Sequence, residues 1–330
     1  MTRRVSIACM SVALLLLLLF PAVAGKFYLQ LVTKIMILSI FALSLDLLVG
    51  YTGLVSLGHA AYFGVAAYTF ALVAQFGETT NFWLTLPLSL LASALAALLI
   101  GALVVRTAGV YFIMVTLAFA QMVYYFFHDT RVAGGSDGMY VDNRPEFFLP
   151  GVNLANDLSF YYLALAALVA VFILLVVVLR SPFGRALQGI KVNEHRMRAL
   201  GYPTLRYKLA AFVAAGTLAG LAGYLAAAKE GYVNPEMIAW HQSGSVLMML
   251  ILGGMGNLFG AVLGTFAYVL LQEWFSTLTK HWSLLMGLFI VAVVLLLPRG
   301  LVSLPTALVR RRRAERSAAE SDTDPGSDRG

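Results

Sequence analysis

Few side chains in this sequence could do chemistry, and those few stand where charge is costly. Lys34 and Asp46 lie inside one apolar run, 27–49. An ionisable group there is a functional candidate, because hydrocarbon does not solvate charge. Lys34 also has a simpler reading, its stem along apolar surface and its ammonium at the interface. Asp46 is the stronger candidate, since it directly precedes Gly50-Tyr51-Thr52-Gly53-Leu54-Val55-Ser56-Leu57-Gly58-His59. Such a stretch suits close approach between helices. It equally suits a broken helix whose freed backbone groups, with Ser56 and His59, face a polar pathway. His59 has the chemistry of a proton relay and, without an acid beside it, of a structural hydrogen-bonding group. A second break, Gly253-Gly254-Met255-Gly256-Asn257, interrupts the run 243–275. Its GxxG spacing echoes Gly50-x-x-Gly53, either as an internal repeat or by chance in a low-complexity chain. Gln121 and Thr116 sit mid-run in 109–127, placed to line a pathway or to hydrogen-bond between helices.

The remaining candidates fall in the one long charged segment between apolar blocks, 180–208. There Arg180, Arg185, Lys191, Arg196, Arg198, Arg206 and Lys208 face a single acid, Glu194. Ser181-Pro182 reads as an N-cap and first helical residue, and Gly201 followed by Pro203 as the stop. Phe183, Leu187, Ile190, Met197 and Leu200 recur at helical spacing and predict one amphipathic helix with Glu194 in its stripe. A carboxylate on an apolar face needs a partner. Arg198, four residues on, supplies a local one; a groove on another subunit would supply a different one.

The elements that must position these groups are membrane helices. Sixty per cent of the 330 residues are hydrophobic and 12% charged, with a mean hydropathy of +0.84, too little polar surface for a soluble globule. Apolar runs of about 20 residues recur along the chain, and in lipid such runs close their hydrogen bonds as helices. The expected class is therefore all-α and polytopic, with about ten transmembrane helices, some short or broken. Crossings are expected near 5–24, 27–49, 82–105, 109–127, 161–179, 210–228 and 282–297, another follows the first glycine motif, and 243–275 makes two short spans or a re-entrant pair turning on the cytoplasmic side. The run ending at Ala22-Val23-Ala24 resembles a leader cleavage site but is read as a retained span, being long for a leader. The lysine/arginine bias puts both termini in the cytoplasm, the loop 128–157 outside and the segment 181–207 inside. The membrane domain covers 1–303. The tail 304–330 begins basic, with Arg310 to Arg313 set against lipid headgroups, and becomes polar and disordered.

The net charge of +7 is spread over loops as for cytoplasmic flanks, not as a nucleic-acid footprint. Cys9, the only cysteine, excludes an intrachain disulfide and a thiolate metal site. No GxxxxGK[ST] or HExxH pattern occurs, so the chain binds no ATP through a P-loop and shows no such metal centre. What remains is a secondary transporter, a channel or the membrane half of a larger machine.

Four stretches carry a resemblance: GYTGLVSLGHAAYFGVAAY at 50–68, AGGSDGM at 133–139, SPFGRALQGIKVNEHRMRALGYPTLRYKLAAFVAAGTLAGLAGYLAA at 181–227 and LILGGMGNLFGAVLG at 250–264. Together they are similar to the M-type subunit of the branched-chain amino acid ABC transporter permeases. The resemblance implies an importer of a bacterial inner membrane, with an H-type permease partner, two cytoplasmic ATPase subunits and an external solute-binding protein. ATP would be bound by those partners, leaving this chain no cofactor and no catalytic residue. Arg185, Glu194, Arg196, Arg198 and Gly201 would then form the coupling loop to the ATPase. Asp46, Gly50, Gly53, Ser56, His59, Gln121, Gly253, Gly254, Gly256 and Asn257 would line or shape the substrate path, and Gly134, Gly135 and Asp137 would meet the binding protein. The sequence departs from the family pattern at His195 and Arg196, where small residues are usual, and at Ser245 and Ala261, where an acid and a proline are common. A machine carrying urea, a short amide or an aromatic acid is the nearest alternative. An ion-coupled carrier using Asp46 with Lys34 is the alternative of another class.

Overall fold

The computed structural model describes residues 14–22, 24–77, 80–141, 144–146, 154, 156–297 and 300–303. The expectations for Cys9, for the first part of the crossing near 5–24 and for the tail 304–330, with its basic cluster, lie outside those residues. The described chain from Lys26 on forms helices α1 (Lys26–Val49), α2 (His59–Phe76), α3 (Phe82–Val104), α4 (Val110–Asp129), α5 (Asp157–Arg180), α6 (Pro182–Val192), α7 (Glu194–Ala199), α8 (Thr204–Glu230), α9 (Trp240–Gly253), α10 (Leu258–Leu278) and α11 (Trp282–Leu296). Six of them, α1, α3, α4, α5, α8 and α10, are long and apolar enough to cross a membrane. The protein is a polytopic helical membrane protein.

The helices sort themselves by composition. α1 is apolar on every side and forms the centre, buried along nearly its whole length from Val32 to Val49, as expected of a helix without a polar face. α3, α4 and α5 bury a narrow strip and expose Leu95, Leu99, Tyr111, Met122 and Val177, surface that only an apolar medium can cover. α8 is rich in small residues, and contacts explain why. A Cβ on Gly216 would lie 2.5 Å from that of Ala97 in α3, and one on Gly223 would collide with the Phe63 carbonyl in α2. Three backbones can approach only because nothing projects between them.

Polar contacts collect at two opposite ends. At one, Asp157 accepts from Gln30 at 3.1 Å and Arg144 at 2.9 Å, and the strand Met139–Tyr140 (β1) pairs antiparallel with Tyr232–Val233 (β2). At the other lie Gly50, Arg106, Lys191, Glu194 and Arg206. Among the described residues, the second end carries most of the basic side chains.

Two expectations need correcting. The single helix over 181–201 is two, because Asn193 leaves helical geometry (φ −158°, ψ 97°) and its Oδ1 caps α7, accepting from the Arg196 N–H at 2.9 Å. An asparagine side chain competes with helix continuation in this way. The apolar stripe is consequently cut: Leu187 and Ile190 are buried but Leu200 is 66% exposed, and Glu194 opens α7 rather than sitting in a continuous stripe. The run 243–275 is broken at the glycines as expected, into an unequal pair, α9 of 14 residues and α10 of 21. The β1–β2 ladder, two residues a strand, is a small exception to an all-α reading.

Candidate functional site

The two glycine breaks, far apart in sequence, meet in space at the basic end. α1 ends on Asp46 and Gly50, the Gly50 N–H donating to the Asp46 carbonyl at 2.7 Å. The Asp46 Oδ1 reaches across and accepts from the Gly256 N–H at 2.8 Å. Gly50 has ordinary helical dihedrals (φ −72°, ψ −39°), so conformation does not require glycine there. Space does: a Cβ would lie 2.6 Å from the Gly256 nitrogen and collide with the Asp46 carboxylate. Gly256 itself needs its freedom, at φ +78°.

Lys191, from the last turn of α6, donates to the Gly50 carbonyl at 2.6 Å. An ammonium is favourable there, since the C-terminal end of a helix carries partial negative charge. The Asp46 carboxylate is unfavourable by the same argument, and Lys191 with the Gly256 N–H offset it. The other Asp46 oxygen, Oδ2, is buried and has no hydrogen-bond partner among the described residues. Sequence reasoning found Asp46, Gly50 and Gly256 but counted Lys191 only as one basic residue among several.

The other proposed path residues are distributed around this knot. Ser56 is buried and accepts from the Gly58 N–H at 3.3 Å. His59, wholly buried, bonds Ser44 Oγ through Nε2 at 2.9 Å and lies parallel to Phe41 with centroids 5.6 Å apart. Its Nδ1 has no hydrogen-bond partner among the described residues. The first N–H groups of α2 are satisfied from neighbours, Leu57 by Thr116 Oγ1 at 3.3 Å and Ala60 by Ser243 Oγ at 2.8 Å. This is the usual need of a helix start, met here by α4 and α9. Gln121 is half-buried further along α4. Gly53 (φ +77°) lies under the Lys191 stem, Gly253 is pressed on the Gly260 backbone, and Gly254 turns the chain at φ +110°. Asn257 is exposed and caps α10, accepting from Phe259 and Gly260 N–H groups at 3.1 and 3.4 Å.

In the basic loop Glu194 is tied to more than its local partner. It accepts from Arg198 at 2.6 Å, Thr204 Oγ1 at 3.1 Å and Lys208 at 2.5 Å, joining α7 to the first turns of α8. Partial burial pushes its carboxyl pKa up, but hydrogen bonds from Lys208 and Arg198 outweigh that and hold it below the ordinary carboxylate value. Gly201 turns the chain after α7 at φ +85°. Arg185 and Arg196 are exposed, as are the apolar Val192 (83%) and Leu200 (66%). At the far end Gly134 and Gly135 adopt positive φ, and Tyr232 donates to the Asp137 carbonyl at 2.7 Å.

A bundle of apolar helices, interrupted by glycine breaks that interlock beside a buried carboxylate, defines a membrane permease. The chain belongs to the family described as branched-chain amino acid transport system / permease component, whose profile matches residues 27–296. It is similar to the high-affinity branched-chain amino acid transport system permease protein LivM of Salmonella typhimurium, 32% identical over 305 residues, covering 86% of this chain and 72% of that one. The protein of the same description from Escherichia coli is 32% identical over 314 residues, covering 88% and 74%. No solved structure matches.

Proposed function

We propose that this chain is the M-type translocation subunit of an ABC importer for branched-chain amino acids in a bacterial inner membrane. Its partners are an H-type permease, two cytoplasmic ATPase subunits and an external solute-binding protein. The chain crosses about ten times with both ends inside, and the loop with Glu194 and Lys191 faces the ATPases. Docked on Val192, Leu200 and the surrounding arginines, an ATPase pair would shift α6 and α7 as a unit on nucleotide binding. The binding protein, meeting the segment around Gly134, Gly135 and Asp137, would supply most of the selectivity.

One observation carries this reading: the 2.6 Å bond from Lys191 to the Gly50 carbonyl. Through it, any displacement of the basic loop pulls on Gly50, and through Gly50 on Gly256 and both broken helices. Packed elements of this kind switch between discrete arrangements rather than deform smoothly. Lys191→Met, which keeps the stem and removes the ammonium, is expected to lower ATP-driven leucine uptake about tenfold, the scale of one lost charge-assisted bond. ATP hydrolysis by the assembled complex should persist. Unchanged uptake per hydrolysed ATP would overturn the reading.

Geometry argues against the ion-coupled carrier. Lys34 and Asp46 share α1, but twelve residues of helix separate them by about 18 Å, too far for a coupling pair. Vesicles depleted of ATP but holding an ion gradient should therefore show no uptake.

A further inference from the structure

A second feature lies at the opposite end from the knot. A cavity of about 360 Å³ opens between α1, α2, α8 and α9, within the range of small-ligand sites. Its lining is divided. Ile37, Leu38 and Phe63 make one wall apolar, while Lys34, Lys229, Glu230, Glu236 and His241 are charged or titratable. Four of those polar groups are already paired, Lys229 with Glu230 at 3.0 Å and His241 with Glu236 at 3.2 Å. Lys34 alone among the lining cations has no ion-pair partner among the described residues.

The geometry points to a transit site for a zwitterionic amino acid with an apolar side chain, its carboxylate on Lys34; this rests on the importer reading above. Lys34 and Leu38 lie about one helical turn apart on the same face of α1, about 6 Å along its axis. That is the reach of a small amino acid from carboxylate to branched methyl groups, so one molecule spans both. The carboxylates of Glu230 and Glu236 line the same cavity, each now held by a neighbouring cation, and would take the ammonium in exchange for Lys229 or His241. An anion without an ammonium meets two acids, and a cation without a carboxylate meets Lys34, so the lining favours a molecule bearing both charges. Below the apolar wall, Phe63 stacks on Phe41 at 4.8 Å and Phe41 on His59. These rings continue the apolar wall from the cavity toward the first glycine break.

The test uses the complete importer with its partner permease, ATPases and binding protein in proteoliposomes. Lys34→Gln is expected to lower leucine uptake about tenfold and Lys34→Arg to keep most of it, with ATP hydrolysis stimulated by loaded binding protein unchanged in both. Occupancy is read directly in a Cys9→Ser/Leu38→Cys variant. Leucine should slow modification of that thiol by a methanethiosulfonate reagent, isoamylamine, which lacks the carboxylate, should not, and adding Lys34→Gln should remove the leucine effect. Equal labelling rates with and without leucine, or full uptake by Lys34→Gln, would overturn the site while leaving the importer reading intact. Failure of the wild-type complex to move any amino acid on ATP, with protection still seen, would instead strike the importer reading.

Discussion

Valine at Gly50 should abolish uptake while the protein still reaches the membrane. Gly50 needs no special dihedral, so the substitution acts through space alone. The new Cβ would meet the Gly256 nitrogen at 2.6 Å and the Asp46 carbonyl oxygen at 2.7 Å. Both are backbone atoms and cannot rotate aside. Overpacking in a tight core costs about 1–3 kcal/mol, and here the strain falls on a contact that joins the two breaks. Either the breaks separate, losing the Asp46–Gly256 bond, or α1 is displaced from α10. In both cases the hinge no longer has its resting arrangement, and transport should fall below detection. Alanine should cause a smaller but clear loss, because it adds the same Cβ without branches. Initial rates of leucine uptake, normalised to protein in the membrane, measure this. Normal uptake by the valine variant would mean that the breaks only pack helices.

Glu194→Ala should uncouple hydrolysis from transport. The carboxylate ties α7 to α8 through Lys208 and Arg198, and Lys208 is only 7% exposed. Removing the acid leaves that ammonium nearly buried and unpaired, a destabilisation of about 2–3 kcal/mol once partial exposure of Glu194 is allowed for. α7 would then move without carrying α8. Uptake should drop about tenfold or more while ATP hydrolysis continues. Glu194→Gln, which keeps the shape and one acceptor, should fall between. The pH dependence follows from the depressed carboxyl. Its contribution is complete above the ordinary value of 4.5 and is lost only as pH falls through the lower value in the folded loop. Protease sensitivity of the loop should thus stay flat down to about pH 5 and rise in acid, and the glutamine variant should show no such step. Equal uptake per ATP in wild type and alanine variant would remove Glu194 from the coupling account.

The helices were legible because lipid leaves the backbone few choices, so an apolar run of the right length is already an assignment. Asp46 was legible for the related reason that a carboxylate in such a run demands explanation. The GxxG echo was visible too, but nothing in one dimension says that residues 210 positions apart touch. That contact depends on how α1 and α10 pack, a tertiary fact. Lys191 was hidden by its company, one cation among seven, distinguished only by where α6 places it. Asn193 carried a readable signal, a capping residue in mid-helix, which the regular apolar stripe masked. The β1–β2 ladder is too short to leave a period. Lys34 was found, with two readings, and only the cavity beside it separates them.

Everything proposed here turns on the α6–α7 segment being the surface that an ATPase subunit pushes. Photo-crosslinking amino acids at Val192 and Leu200, the exposed apolar positions, test that directly in membranes containing the whole complex. The account predicts capture of the ATPase subunit at both positions, with yields that change when ATP is bound. Absence of any such adduct in either nucleotide state, or labelling of these positions by an impermeant reagent from outside the cell, would contradict it.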